Sequence, residues 1–157
     1  MKKLFIIAAM LLSLFSYGQN KDWKHISKND IAIYSLQTVA GFADGTNQAI
    51  IHHGLGAGHP FWDQTVSWKN KYRDFDAGDK RAAFPGSKTY LVAFTDGFHL
   101  TRFVDRSATL ASVVISVSDL KQYPRKDRWK VLAKKAVLSA FFNRAGFYLS
   151  YNGIFKQ

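Results

Sequence analysis

Two short clusters hold the side chains able to do chemistry. Asp44, Gln48 and His52 follow an i, i+4, i+8 spacing, so on a helix they form one stripe, with Asn47 beside it. Asp96 and His99 lie three apart and share a helical face with Phe103. Two such helices packed antiparallel would bring Asp44, His52, Asp96 and His99 together. Carboxylates and imidazoles suit a divalent metal such as zinc, or an acid and base pair for hydrolysis. The same residues have a plainer reading. An Asp or His between helices needs a partner, because an unpaired polar group in a low dielectric is costly, and interhelical Asp–His or Asp–Arg pairing supplies one. Two-ligand spacings on separate helices are far less specific than a His-Glu-x-x-His motif. A structural polar network is therefore the first expectation, and a metal-dependent hydrolase site the second.

Three of the five histidines fall in the glycine-rich stretch His52-His53-Gly54-Leu55-Gly56-Ala57-Gly58-His59-Pro60. Apart from Asp63, no nearby carboxylate completes a ligand set. The stretch lacks the Gly-Lys-Ser/Thr ending of a phosphate loop, so it reads as a surface turn. The chain has no Cys, which excludes disulfides, thiolate metal sites, a thiol nucleophile and a lipoprotein anchor. No nucleophile elbow, dinucleotide fingerprint or paired-carboxylate glycosidase pattern appears, and no cofactor is indicated.

The elements that must position these residues read as helices. Helix A is expected over 30–52, capped by Ser27 or Asn29 and free of Pro. Gly41 and Gly45 inside it favour a closely packed partner. Residues 53–85 form a long connection rich in Gly, Asp, Lys and aromatics, with short helices or turns at 61–63 and 67–72. Helix B follows Ser87 and runs to Val104. Helix C, over 107–120, carries Val113, Val114, Ile115 and Val117, which would also suit a strand. A turn containing Pro124 precedes helix D over 127–152. Gly41-Phe42-Ala43-Asp44-Gly45 is echoed by Ala93-Phe94-Thr95-Asp96-Gly97, consistent with either chance or an internal duplication.

The first eighteen residues have the three parts of a secretory leader. Lys2 and Lys3 form the positive start, Leu4 to Phe15 an apolar run broken only by Ser13, and Ser16-Tyr17-Gly18 a cleavage site. The run is shorter than the roughly 18–20 residues of a membrane span. Cleavage after Gly18 leaves residues 19–157 as a single helical domain beginning at Gln19. The net charge is +11, of which Lys2 and Lys3 supply two. An exported chain seldom meets nucleic acid, so none is expected as a partner. Membrane lipids, with anionic head groups or an envelope polymer at Lys121, Arg125, Lys126, Arg128 and Lys130, account for the charge more economically.

Topology points the same way. With the cleaved N-terminus outside, the A–B and C–D connections hold the Lys and Arg excess, whereas the B–C turn offers only Arg106. Against this, every segment carries polar residues, among them Asp44, Asp96, Arg102 and Arg144. The fold expected is thus a mainly α-helical bundle of about four helices, embedded in the membrane or peripheral to it.

Phe61-Trp62-Asp63-Gln64-Thr65-Val66-Ser67-Trp68-Lys69-Asn70-Lys71-Tyr72, followed by Thr95-Asp96-Gly97-Phe98-His99-Leu100, resembles small exported helical proteins of Bacteroidetes-type bacteria and their phages. The Gly18-Gln19 site is similar to their leaders. The resemblance implies export and a helical fold, and it transfers no catalytic residue. The functional expectation is an exported protein of the inner membrane or periplasmic envelope with a structural or interaction role. The alternative is a membrane-associated metal-dependent hydrolase using Asp44, His52, Asp96 and His99.

Overall fold

The computed structural model describes residues 26–156; the expected leader and its cleavage site lie outside them. Helix α1 spans Lys28–His52 and begins at a reciprocal cap: the Ser27 hydroxyl accepts from the Asp30 amide, and the Asp30 carboxylate accepts from the Ser27 amide. Two orphan amides of the first turn are thereby satisfied. The helix ends where Gly54 takes a left-handed φ of 60°, a conformation that costs glycine little.

The connection runs further than expected, to Asp96. It is built of turns with short 3₁₀ segments at Ser67–Lys69, Arg73–Phe75 and Val92–Phe94, and it is tied to itself. Asn70 donates to the Pro60 carbonyl (2.7 Å) and the Ser87 hydroxyl to the Lys71 carbonyl (2.9 Å). Its first part is clamped onto the following helix. The Gly97 amide donates to the Phe61 carbonyl (2.7 Å), and a Cβ at Gly97 would lie 2.1 Å from the Trp62 ring.

Helix α2 spans Gly97–Asp119. This corrects helices B and C, which are one element. Asp96 is its N-cap and accepts from the His99 amide (2.9 Å), so the helix begins ten residues after Ser87. Nothing between Val104 and Ser107 can break a helix, since neither Pro nor Gly occurs there. The β-branched run at 113–117 is helical as well. Thr101, Ala108, Ser112 and Ser116 form a stripe of small residues buried against α1, and that packing overrides the weak strand preference.

Helix α3 spans Arg128–Tyr148 and continues as a wider π turn over Leu149–Ile154. The described residues therefore form three long helices instead of four, without a strand. Each of α2 and α3 packs along α1, and they scarcely touch each other. Register follows from the cross-contacts. Gln37 meets Ser112 and Asn47 meets Thr101, so α2 is antiparallel to α1; Asp30 meets Lys135 and Gly45 meets Ser150, so α3 is parallel to it. Among the described residues no helix is long and apolar enough to cross a membrane.

Glycine makes the α1–α3 approach close. A Cβ on Gly41 would lie 1.8 Å from the Asn143 carbonyl oxygen, and one on Gly146 would lie 2.2 Å from that of Thr38. The obstacles are backbone, which cannot swing aside. Gly41→Val should therefore lower the unfolding free energy by about 3 kcal/mol or more, the upper end of overpacking costs. Gly153→Ala, with no atom nearer than 3.7 Å to the new carbon, should change it by less than about 0.5 kcal/mol. Denaturant unfolding of the two variants checks the contrast.

Candidate functional site

The four residues singled out for chemistry fall into two separate places. Asp44 and His52 line a shallow, open depression together with Gln48, Arg144 and Tyr151, as the helical stripe required. Asp44 is half-buried and His52 exposed. The Asp105 carboxyl across from it is held above its usual range, by burial first and then by the Asp44 charge. Asp96 is fully buried, yet it stands at a helix start and not in mid-helix. His99 Nδ1 lies 2.8 Å from Asp96 Oδ2, and the Thr95 hydroxyl donates to the same oxygen at 2.9 Å. The carboxylate thus serves as a cap and orients one imidazole. Among the described residues no three His, Asp or Glu side chains are grouped as a metal ion would need.

The glycine-rich histidines do not converge. His53 turns to the end of the chain, with Nδ1 2.8 Å from the Phe155 carbonyl and its ring stacked on Tyr151 at 4.3 Å. His59 is exposed in a turn that Asp63 closes by accepting from the Gly58 and Thr65 amides. The two halves of the sequence echo also differ, since Gly41 to Gly45 is helix interior whereas Ala93 to Gly97 is a 3₁₀ turn leading into a cap.

Polar residues instead build the space between the helices. Asn47 donates to the Phe98 carbonyl and to the Thr101 hydroxyl, both at 2.9 Å. Gln37 donates to Ser112, and Asn143 approaches the Gln37 side chain from α3 at 3.3 Å. At one end Lys135, only 2 % exposed, pairs with Asp30 of α1 and lies 2.9 Å from Asp119 of α2. Asn29 and Gln122 also donate to Asp119. One ammonium therefore joins all three helices. Beside it the buried Tyr34 ring stacks on Phe142 at 5.1 Å, and burial holds its hydroxyl well above the usual phenol range.

Large apolar side chains lie on the outside. Among the largest fully buried side chains Ile33 is joined by Asp96, Ser87, Ser112 and Ser150, whereas Leu110, Val114 and Val117 of α2 and Leu132 and Phe141 of α3 are exposed. On α3 the side holding Trp129, Leu132, Ala136 and Ala140 carries no charge before Arg144, half-buried Lys134 lying on the other flank beside Phe141, while α2 carries none from Ser107 to Ser118. Lys130 and Arg144 bound the first stretch, and Arg106 and Lys121 the second, each over about 21–23 Å of helix. Given the register, both stretches lie beside the part of α1 between Asp30 and Asp44, so they form one apolar belt. The expected bundle of about four helices did not include this inversion. Its signal was present: Lys135 and Gly146 on one side, Ala136, Val137, Ala140 and Phe141 on the other.

Burial pushes the Asp30 carboxyl up, but Lys135 and Ser27 more than offset it, and the group ends below its ordinary 3.8. Burial pushes Lys135 down, and the bonds to Asp30 and Asp119 reverse that, so it ends above 10.5. The Asp30 contribution to stability is thus full above pH 3.8 and lost as pH falls through the lower folded value; that of Lys135 is full below pH 10.5 and lost as pH rises through the higher one. Lys135→Met should cost about 3–5 kcal/mol near neutral pH, because two buried carboxylates lose their cation. It should also reverse the acid limb, with the variant gaining stability as pH falls toward 4. Thermal melts across pH check both signs.

No family model matches this chain, and no curated protein or solved structure does either.

Proposed function

We propose that this chain is an exported cell-envelope protein with a non-enzymatic structural or interaction role, seated in the membrane interface. The observation that carries the reading is the inversion of the three helices: polar and small residues between them, large apolar residues around them. In water this arrangement exposes apolar surface on several helices at one level, far beyond scattered single side chains. Against lipid, close glycine contacts and interhelical hydrogen bonds are the usual means of holding helices together. The leader at residues 1–18 and the resemblance to small exported helical proteins support the location. The uncharged stretches fall short of the ~30 Å hydrocarbon core, which favours partial immersion.

The second reading, a membrane-associated metal-dependent hydrolase, is favoured by one feature. Buried Asp96 orients His99, whose side chain is 36 % exposed, as a general base or single ligand is oriented in hydrolytic sites. Metal analysis of the purified protein separates the readings: about one zinc per chain, lost on His99→Ala, supports the hydrolase, and the structural reading predicts none.

Expressed in its own cell type, the protein should pellet with membranes, resist urea and high-salt washes, and be released by detergent, with Gln19 as its first residue on N-terminal sequencing. Recovery in the salt wash or the aqueous fraction would overturn the membrane role.

A further inference from the structure

The basic residues and the apolar belt meet at one corner, where α2 turns into α3. Lys121, Arg125 and Lys126 are exposed in that turn, and among the described residues no carboxylate lies within ion-pair distance of them; Asp127 instead sits 3.5 Å from Lys130. Lys135 belongs to the same run of sequence but is withdrawn into the interior by Asp30 and Asp119. The cluster therefore divides into an internal cation that fixes the helices and an outward set free to meet another charge. Trp129 stands 67 % exposed at the first turn of α3, with the Lys130 ammonium 5.9 Å from its ring centroid. Leu132 and Ala136, three and seven residues on, are exposed on the same side of the helix.

Resting on the membrane reading above, we propose that this corner is a docking surface for anionic phospholipid. Lys121, Arg125 and Lys126 face the head groups, Trp129 lies at the polar–apolar boundary, and Leu132 and Ala136 enter the acyl region beside it. Charge complementarity selects this occupant over a second copy of the chain. Two identical corners would bring like charges together, whereas an anionic leaflet neutralises them and covers the adjoining apolar face in one step. The order of basic turn, exposed indole and apolar face matches the order of head group, interface and acyl chain.

The absence of Cys allows a direct test. Leu132→Cys and Ala136→Cys, each carrying an environment-sensitive NBD fluorophore, are compared with Lys80→Cys in the connection. Vesicles are phosphatidylcholine alone, or phosphatidylcholine with phosphatidylglycerol. The labels at 132 and 136 should blue-shift with the anionic vesicles and much less with the neutral ones, while the label at 80 stays unchanged. Substituting Lys121, Arg125 and Lys126 by Ala should weaken that binding roughly fivefold for each charge removed. Equal shifts with both vesicle types, or a shift that grows with protein concentration before vesicles are added, would overturn the proposal, the latter in favour of a second copy. Flotation with vesicles while both labels stay in water would overturn this surface and leave the membrane role standing. Failure to float at all would count against both.

Discussion

A single buried ammonium sets the terms for the rest of the molecule. Lys135 cannot be left alone in the interior, and the carboxylates that meet it come from two other helices, Asp30 of α1 and Asp119 of α2. Because α2 and α3 scarcely touch, this is where the third side of the arrangement is closed. The pairing fixes the register of α1 against both neighbours, and Gln37 with Ser112 and Asn47 with Thr101 then fall into place up the bundle. A buried ion pair is weak evidence for stability but a strong determinant of which arrangement forms, since every misregistered alternative leaves a charge unpaired.

With polar and small side chains filling the helix contacts, the large apolar ones have nowhere to go but outward. Gly41 and Gly146 bring α1 and α3 to backbone contact, which leaves no room at those positions for Leu or Phe, although Tyr34 and Phe142 stack between the helices nearby. The result is an interior organised by hydrogen bonds and an apolar belt bounded by charged residues at both edges.

Helix α1 was legible almost to the residue, because its caps are local: Ser27 and Asp30 signal the start, and the glycines after His53 the stop. Helix α2 was less so. Asp96-Gly97 is a cap signal, but it was read as helix interior because the apolar residues before it suggested an earlier start, and the valines of 113–117 obscured a continuous helix whose small residues face α1. The stripe of Asp44, Gln48 and His52 was correctly placed on one face, since that needs only the helical period. That it stands apart from Asp96 and His99 was not foreseeable from period alone, since this depends on where α2 begins and on register, and register is set by Lys135. That lysine sits within a run of exposed basic residues, and nothing in its local sequence distinguishes it from them.

The account stands or falls on the coupling between helices that Lys135 creates. A double-mutant cycle on Lys135→Met and Asp119→Asn, read as unfolding free energies in denaturant, measures it directly. The account predicts a coupling of about 1–3 kcal/mol between the two sites, with the double variant far less destabilised than the two single losses together. Additivity within about 0.5 kcal/mol would contradict it, and would mean that the three helices are held in register by something other than this buried charge.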